Sequence, residues 1–173
     1  MSSSSQELLT AISTTSIPKI INLLNDGVDV NQSDIAGATA LHFAVMFNNE
    51  QIVKLLLKQK GIQVNRVTNY YCESTPLYNA IMFGKTDIAK LLIDDDRVNI
   101  NACGPDPDAQ SALLWAVQFN RKEVVKHLLS KDGIKVNKSN RKGTTPLRYM
   151  NLERSFTSAL NSFAATDRRS EQY

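Results

Sequence analysis

The sequence predicts an all-α protein built as a repeat solenoid, with helix pairs stacked side by side and joined by hairpin fingers. Two periodic marks predict it. TALHFAV from Thr39, TPLYNAI from Thr75 and SALLWAV from Ser111 are near-copies, and a damaged fourth, TPLRYMN, starts at Thr145; the starts lie 36, 36 and 34 residues apart. A second mark runs out of phase with the first: VDVN ends at Asn31, IQVN at Asn65, VNIN at Asn101 and IKVN at Asn137, in steps of 34, 36 and 36. Self-similarity at such a period means units that bury their apolar faces only against one another.

Composition sets the outer limits. The 173 residues are 42% hydrophobic and 21% charged, a globular rather than a disordered balance. A net charge of +3 is mildly basic and does not argue for nucleic acid without a clustered patch. The two cysteines, Cys72 and Cys103, have no metal-type spacing, which favours a reducing cell interior over a disulfide framework. The start, MSSSSQELL, lacks the basic and apolar regions of a secretory leader, and no apolar run reaches the ~18–20 residues of a membrane span. A cytoplasmic setting is expected, which leaderless delivery into a host cell would also satisfy.

Taken in order, residues 1–5 read as a disordered serine tail. Leu8, Leu9, Ala11 and Ile12 have helical spacing and place a short helix over residues 6–13. Pro18 suits the first turn of a second helix with Ile20, Ile21, Leu23 and Leu24 on its apolar face, closed at Gly27. The pair lacks the full repeat signature, as an N-terminal cap should. From Asn31 a polar turn leads to Thr39, an N-cap for a short helix carrying Leu41, Ala44 and Val45. Asn48-Asn49 breaks it, and residues 50–59 form a second helix with Ile52, Val53, Leu55, Leu56 and Leu57 buried. The same order recurs at 76–83 with 87–93, and at 112–119 with 122–129. The fourth copy puts Met150 where Ala44, Ala80 and Ala116 stand, and a polar helix over 153–163 with Phe156, Leu160 and Phe163 reads as a C-terminal cap. The expected layout is a cap at 6–36, repeats at 37–72, 73–108 and 109–142, a cap at 143–165, and a polar tail at 166–173.

Gly37-Ala38-Thr39-Ala40-Leu41-His42-Phe43-Ala44-Val45, followed by Ile52-Val53-Lys54-Leu55-Leu56-Leu57, resembles the ankyrin repeat, and the resemblance covers about residues 6–163. It implies an ankyrin-repeat solenoid with three full repeats and two caps, and a protein-binding role without catalysis. Thr at the N-cap, followed by Pro76 or Pro146 in the first turn, has a physical reason: the hydroxyl satisfies an orphan N–H, and proline lacks one. Two departures stand out. The motif histidine survives only as His42, with Tyr78, Leu114 and Arg148 in its place elsewhere. The fingers before Thr75 and Ser111 are two residues longer than those before Thr39 and Thr145, and read RVTNYYCES and ACGPDPDAQ.

No catalytic, cofactor or metal constellation is found. His42 sits in the structural motif and His127 takes a Leu-type position, neither with a nucleophile placed beside it. Asp94-Asp95-Asp96 and Asp106-Pro107-Asp108 read as solvated acidic turns, without calcium-loop spacing. Lys54, Lys90 and Lys126 recur at 36 and read first as a solvated face. The resemblance places partner contacts at finger tips and at the exposed end of each first helix. Those positions are Met46-Phe47, Met82-Phe83 and Gln118-Phe119, with Trp115 as an anchor. The three phenylalanines either face a groove as an apolar strip or fold back between repeats as core. Tyr70 and Tyr71 near one finger tip, Pro105 and Asp106 in the stiff third finger, and Arg141 beside Lys142 complete the candidate surface. The expected partner is a protein, bound by a monomer, with neither nucleic acid nor membrane; the alternative is a targeting module of a larger protein or a bacterial effector acting inside a host cell.

Overall fold

The computed structural model describes residues 3–69, 74–102, 110–152 and 156. The chain divides into two compact units, Met1–Val98 and Asn99–Tyr173. The first unit holds α1 (Ser3–Ser13), α2 (Ile17–Asn25), α3 (Ala40–Met46), α4 (Glu50–Leu57), α5 (Pro76–Met82) and α6 (Thr86–Ile93). The second holds α7 (Ala112–Gln118), α8 (Lys122–Leu129) and α9 (Pro146–Leu152). Among the described residues there is no strand, and pairing in the fingers is limited to isolated bridges such as Ser33 with Thr39.

Helices of seven or eight residues are too short to stand alone, because isolated helices under ~12–15 residues are marginal in water. Packing decides instead. Leu41, Ala44 and Val45 of α3 and Ile52, Val53 and Leu56 of α4 are fully buried, each large side chain contributing about 1.5–3 kcal/mol. In the first unit α3 packs on α1, α4 and α5, and α4 on α6; in the second α7 packs on α8 and α9. Ala44, Ala80 and Ala116, all without exposed surface, let paired helices approach closely. Met150 holds that register in α9 and is equally buried, and Phe156 is buried nearby in sequence.

Helix ends follow the local chemistry. Thr75 and Ser111 cap α5 and α7 by accepting from the N–H groups of Tyr78 and Leu114. Pro18 lies in the first turn of α2. Helix α1 begins at Ser3, three residues before the expected start: a serine turn extends an end that the apolar pattern cannot mark. Helix α4 stops at Leu57, two residues early, as the chain turns toward Gly61 at φ +81°. The 153–163 helix, apart from Phe156, lies outside the described residues, as does the 166–173 tail.

The second periodic mark proves to be a clamp. Asn31 donates from Nδ2 to the Gly61 carbonyl (2.9 Å) and accepts at Oδ1 from the Gln63 N–H (2.7 Å). Asn101 repeats this in the second unit with Gly133 (2.8 Å) and Lys135 (2.9 Å). Asn65 donates to the Arg97 carbonyl at 2.7 Å. Asn31, Asn65 and Asn101 each tie one turn to the next, which is why an asparagine recurs at the repeat length.

Candidate functional site

The three first helices end alike. Asn48, Gly84 and Asn120 take positive φ (55°, 68° and 55°) just past the helix. Their N–H groups return to Val45, Ile81 and Val117, while those of Asn49, Lys85 and Arg121 return to Ala44, Ala80 and Ala116. This paired closure is the Schellman motif, which favours Gly or Asn at its left-handed position. Phe47, Phe83 and Phe119 are the residues at the cap itself, so the helices expected over 76–83 and 112–119 each stop one residue early.

In the first unit the closure leaves apolar groups in water. Met46 is 50% exposed, Phe47 42% and Phe83 53%, with Met82 half-buried. Phe47 and Phe83 occupy one register on directly packed helices, α3 and α5. Beside them in sequence, Asn48, Glu50, Gly84, Lys85, Thr86, Asp87 and Ile88 line a cleft of about 400 Å³. Ile35, at the turn of the first finger, is 98% exposed. Neither the cleft nor Ile35 was marked by the repeat pattern. The helix breaks at Asn48-Asn49 and Gly84-Lys85 were the available signal for one, and a lone isoleucine in a polar turn for the other.

In the second unit the same register looks different. Trp115 and Phe119 stack with centroids 4.9 Å apart at 16°, and the Arg121 guanidinium lies 6.0 Å over the Phe119 ring. Trp115, Gln118 and Phe119 are half-buried. Arg141 is exposed on the last finger. Tyr70, Tyr71, Pro105 and Asp106 lie outside the described residues, as do both cysteines.

His42 is 3% exposed. Its Nε2 donates to the Ser74 carbonyl at 3.0 Å, and its Nδ1 faces the Thr39 N–H at 3.2 Å and the Thr39 hydroxyl at 2.9 Å. A carbonyl only accepts, so Nε2 carries the proton and Nδ1 is the acceptor. Burial pushes the imidazole pKa below its ordinary value, against the Ser74 carbonyl, which pulls the other way. Ser74 also closes the second finger with Thr68, whose hydroxyl accepts from the Ser74 N–H. At Asp95, the hydrogen bond from the Arg97 side chain holds the carboxyl below its usual range. Arg97 then reaches the Leu57 carbonyl at 2.7 Å, so this acidic turn binds structure to structure. Among the described residues no three of His, Cys, Asp and Glu gather as a metal set, and no helix is long and apolar enough to cross a membrane.

A protein of Rickettsia bellii (strain RML369-C), described as an ankyrin repeat protein, is 53% identical over 36 residues. The match takes in 21% of this chain and 37% of that protein, so the chain spans only about a third of its relative's length. A family model described as "Ankyrin repeats (3 copies)" matches residues 7–68 and again 66–140. With stacked short helix pairs, capped at Thr or Ser and clamped at the recurring asparagines, the chain belongs to the ankyrin repeat family.

Proposed function

We propose that this chain binds a protein partner through the exposed helix ends and finger tip of its first unit. Ankyrin repeats generally bind proteins and are typically not catalytic. The observation that carries the reading is the apolar trio Met46, Phe47 and Phe83, each about half-exposed. Solvated aromatic and methionine side chains beside a polar cleft have the composition of an interface centre with its rim. Ile35 on the finger offers a further apolar contact. Partner binding takes place in a reducing cytoplasm, by a monomer. The likeness to the Rickettsia protein favours, as a second reading, a module that works inside a host cell.

The test is affinity capture with the full chain and with a Phe47→Ala/Phe83→Ala variant, with circular dichroism on both. Both rings are substantially solvated, so the variant should keep its helical spectrum. It should lose a partner that the wild type and an Ile21→Ala control retain; Ile21 is 39% exposed on α2. Retention of the same partners by the double variant overturns the reading.

A further inference from the structure

The fingers differ sharply in charge. Residues 29–39 carry Asp29 and Asp34, residues 63–75 carry Arg66 and Glu73, and residues 99–111 carry Asp106 and Asp108. From 133 to 152 there is no acidic residue at all, while Lys135, Lys138, Arg141, Lys142 and Arg148 are cationic. Only the last finger is uniformly positive.

Its backbone is held in shape. The Leu147 N–H donates to the Val136 carbonyl (3.2 Å), closing the stem so that Lys135 and Arg148 flank it. At the tip, Asn140 donates to the Thr144 carbonyl (2.9 Å), and its buried Oδ1 accepts from the N–H groups of Lys142 (3.0 Å) and Thr144 (2.9 Å). Gly143, at φ +73°, makes the turn. The Lys138 ammonium donates to the Asn101 carbonyl at 2.7 Å and tethers the stem. Lys135, Arg141, Lys142 and Arg148 are exposed. An open cleft of about 490 Å³ runs along the stem, lined by Ile134, Lys135, Val136, Asn137 and Lys138. Ile134 and Val136 are half-buried there, so apolar side chains alternate with cations.

We infer that the finger spanning residues 135–148 is a docking element for an acidic protein segment, with carboxylates against its cations and an apolar side chain in the stem cleft. This rests on the reading of the chain as a protein-binding module and names a class of partner for it. Charge complementarity selects the occupant: a partner rich in Asp and Glu gains attraction from every cation and meets no repelling carboxylate on this finger. Holding the finger in shape lowers the ordering cost of binding. Single-stranded nucleic acid, another polyanion, is bound where a basic groove is combined with aromatic faces on which bases stack. The one aromatic residue of this finger region, Tyr149, is half-buried, and Trp115 and Phe119 are stacked on each other.

The experiment is fluorescence anisotropy of the full chain with labelled decaglutamate. Binding is expected at about 50 mM salt and should weaken roughly tenfold by about 300 mM as the exposed charges are screened. The Lys135→Ala/Arg141→Ala/Lys142→Ala variant should lose at least about tenfold in affinity. The charge-keeping Lys135→Arg/Arg141→Lys variant should bind as the wild type does. So should Lys58→Ala/Lys60→Ala, which removes two exposed lysines of the first unit. No binding at low salt, an equal loss in the Lys58/Lys60 control, or tighter binding of an oligothymidylate each overturns the inference. The two readings fail separately: capture lost on Phe47→Ala/Phe83→Ala without decaglutamate binding leaves protein binding standing and removes the acidic segment.

Discussion

The first and third repeats close the first helix with the same left-handed turn, and two registers of that helix show how they diverge. At the third helical position the first repeat has His42, latched to Ser74 and Thr39, and the third has Leu114, with no exposed surface. At the cap the first has Phe47, 42% exposed, and the third has Phe119, under Trp115 and Arg121. The contrast teaches that the repeat fixes where a side chain starts, while the neighbour four residues earlier decides whether it is free. That neighbour is Phe43 in the first repeat, with centroids 6.4 Å apart, Asn79 in the second, and Trp115 in the third. Phe83, following Asn79, has no aromatic neighbour there and is the most exposed of the three.

The largest effect should come from breaking the apolar version of the joint. Leu114→Ala removes a fully buried side chain and leaves a cavity, so a loss of about 2–5 kcal/mol is expected in urea unfolding. A loss below about 1 kcal/mol would mean that the site collapses freely and that α7 is loosely packed.

His42→Leu, which copies the third repeat into the first, should cost less, about 1–3 kcal/mol, because it strands the buried Thr39 N–H and takes from the Ser74 carbonyl one of its two donors, leaving the Thr68 N–H. The same variant tests the sign of a pH effect. The folded pKa of His42 is lowered, so the unfolded chain binds the proton first. Stability is therefore full above the ordinary imidazole value of 6.5 and falls as pH drops from there toward the folded pKa. In His42→Leu that part of the acid sensitivity should vanish. An unchanged slope between the two proteins would place the titration elsewhere.

These joints also show what the sequence could reveal. Periodicity carried the helix pairs, because apolar faces must recur wherever units stack. It marked Phe47, Phe83 and Phe119 as one set for the same reason. It could not say that Phe119 is covered and Phe83 is not, since that depends on which residue stands one turn earlier and how its ring lies. His42 was legible as structural, yet its partner Ser74 sits 32 residues away in a finger whose length varies. The cationic last finger was visible only in part, as Arg141-Lys142. The stem closure from Leu147 to Val136 is what brings Lys135 and Arg148 alongside.

The smallest effect bears most directly on the comparison. Trp115 and Phe119 lie face to face at 4.9 Å, and Phe43 and Phe47 at 6.4 Å. Offset-stacked rings couple by about 0.5–1.5 kcal/mol beyond their burial, and the attraction fades with separation. A double-mutant cycle to alanine on each pair should therefore give a clear coupling for Trp115/Phe119 and a smaller one for Phe43/Phe47. The sequence has one tryptophan, so its emission reports this pair alone. Phe119→Ala should shift that emission to longer wavelength as the indole gains water. Equal couplings in the two cycles would break the comparison, because Phe47 would then be held as firmly as Phe119 and would no longer be the freer ring.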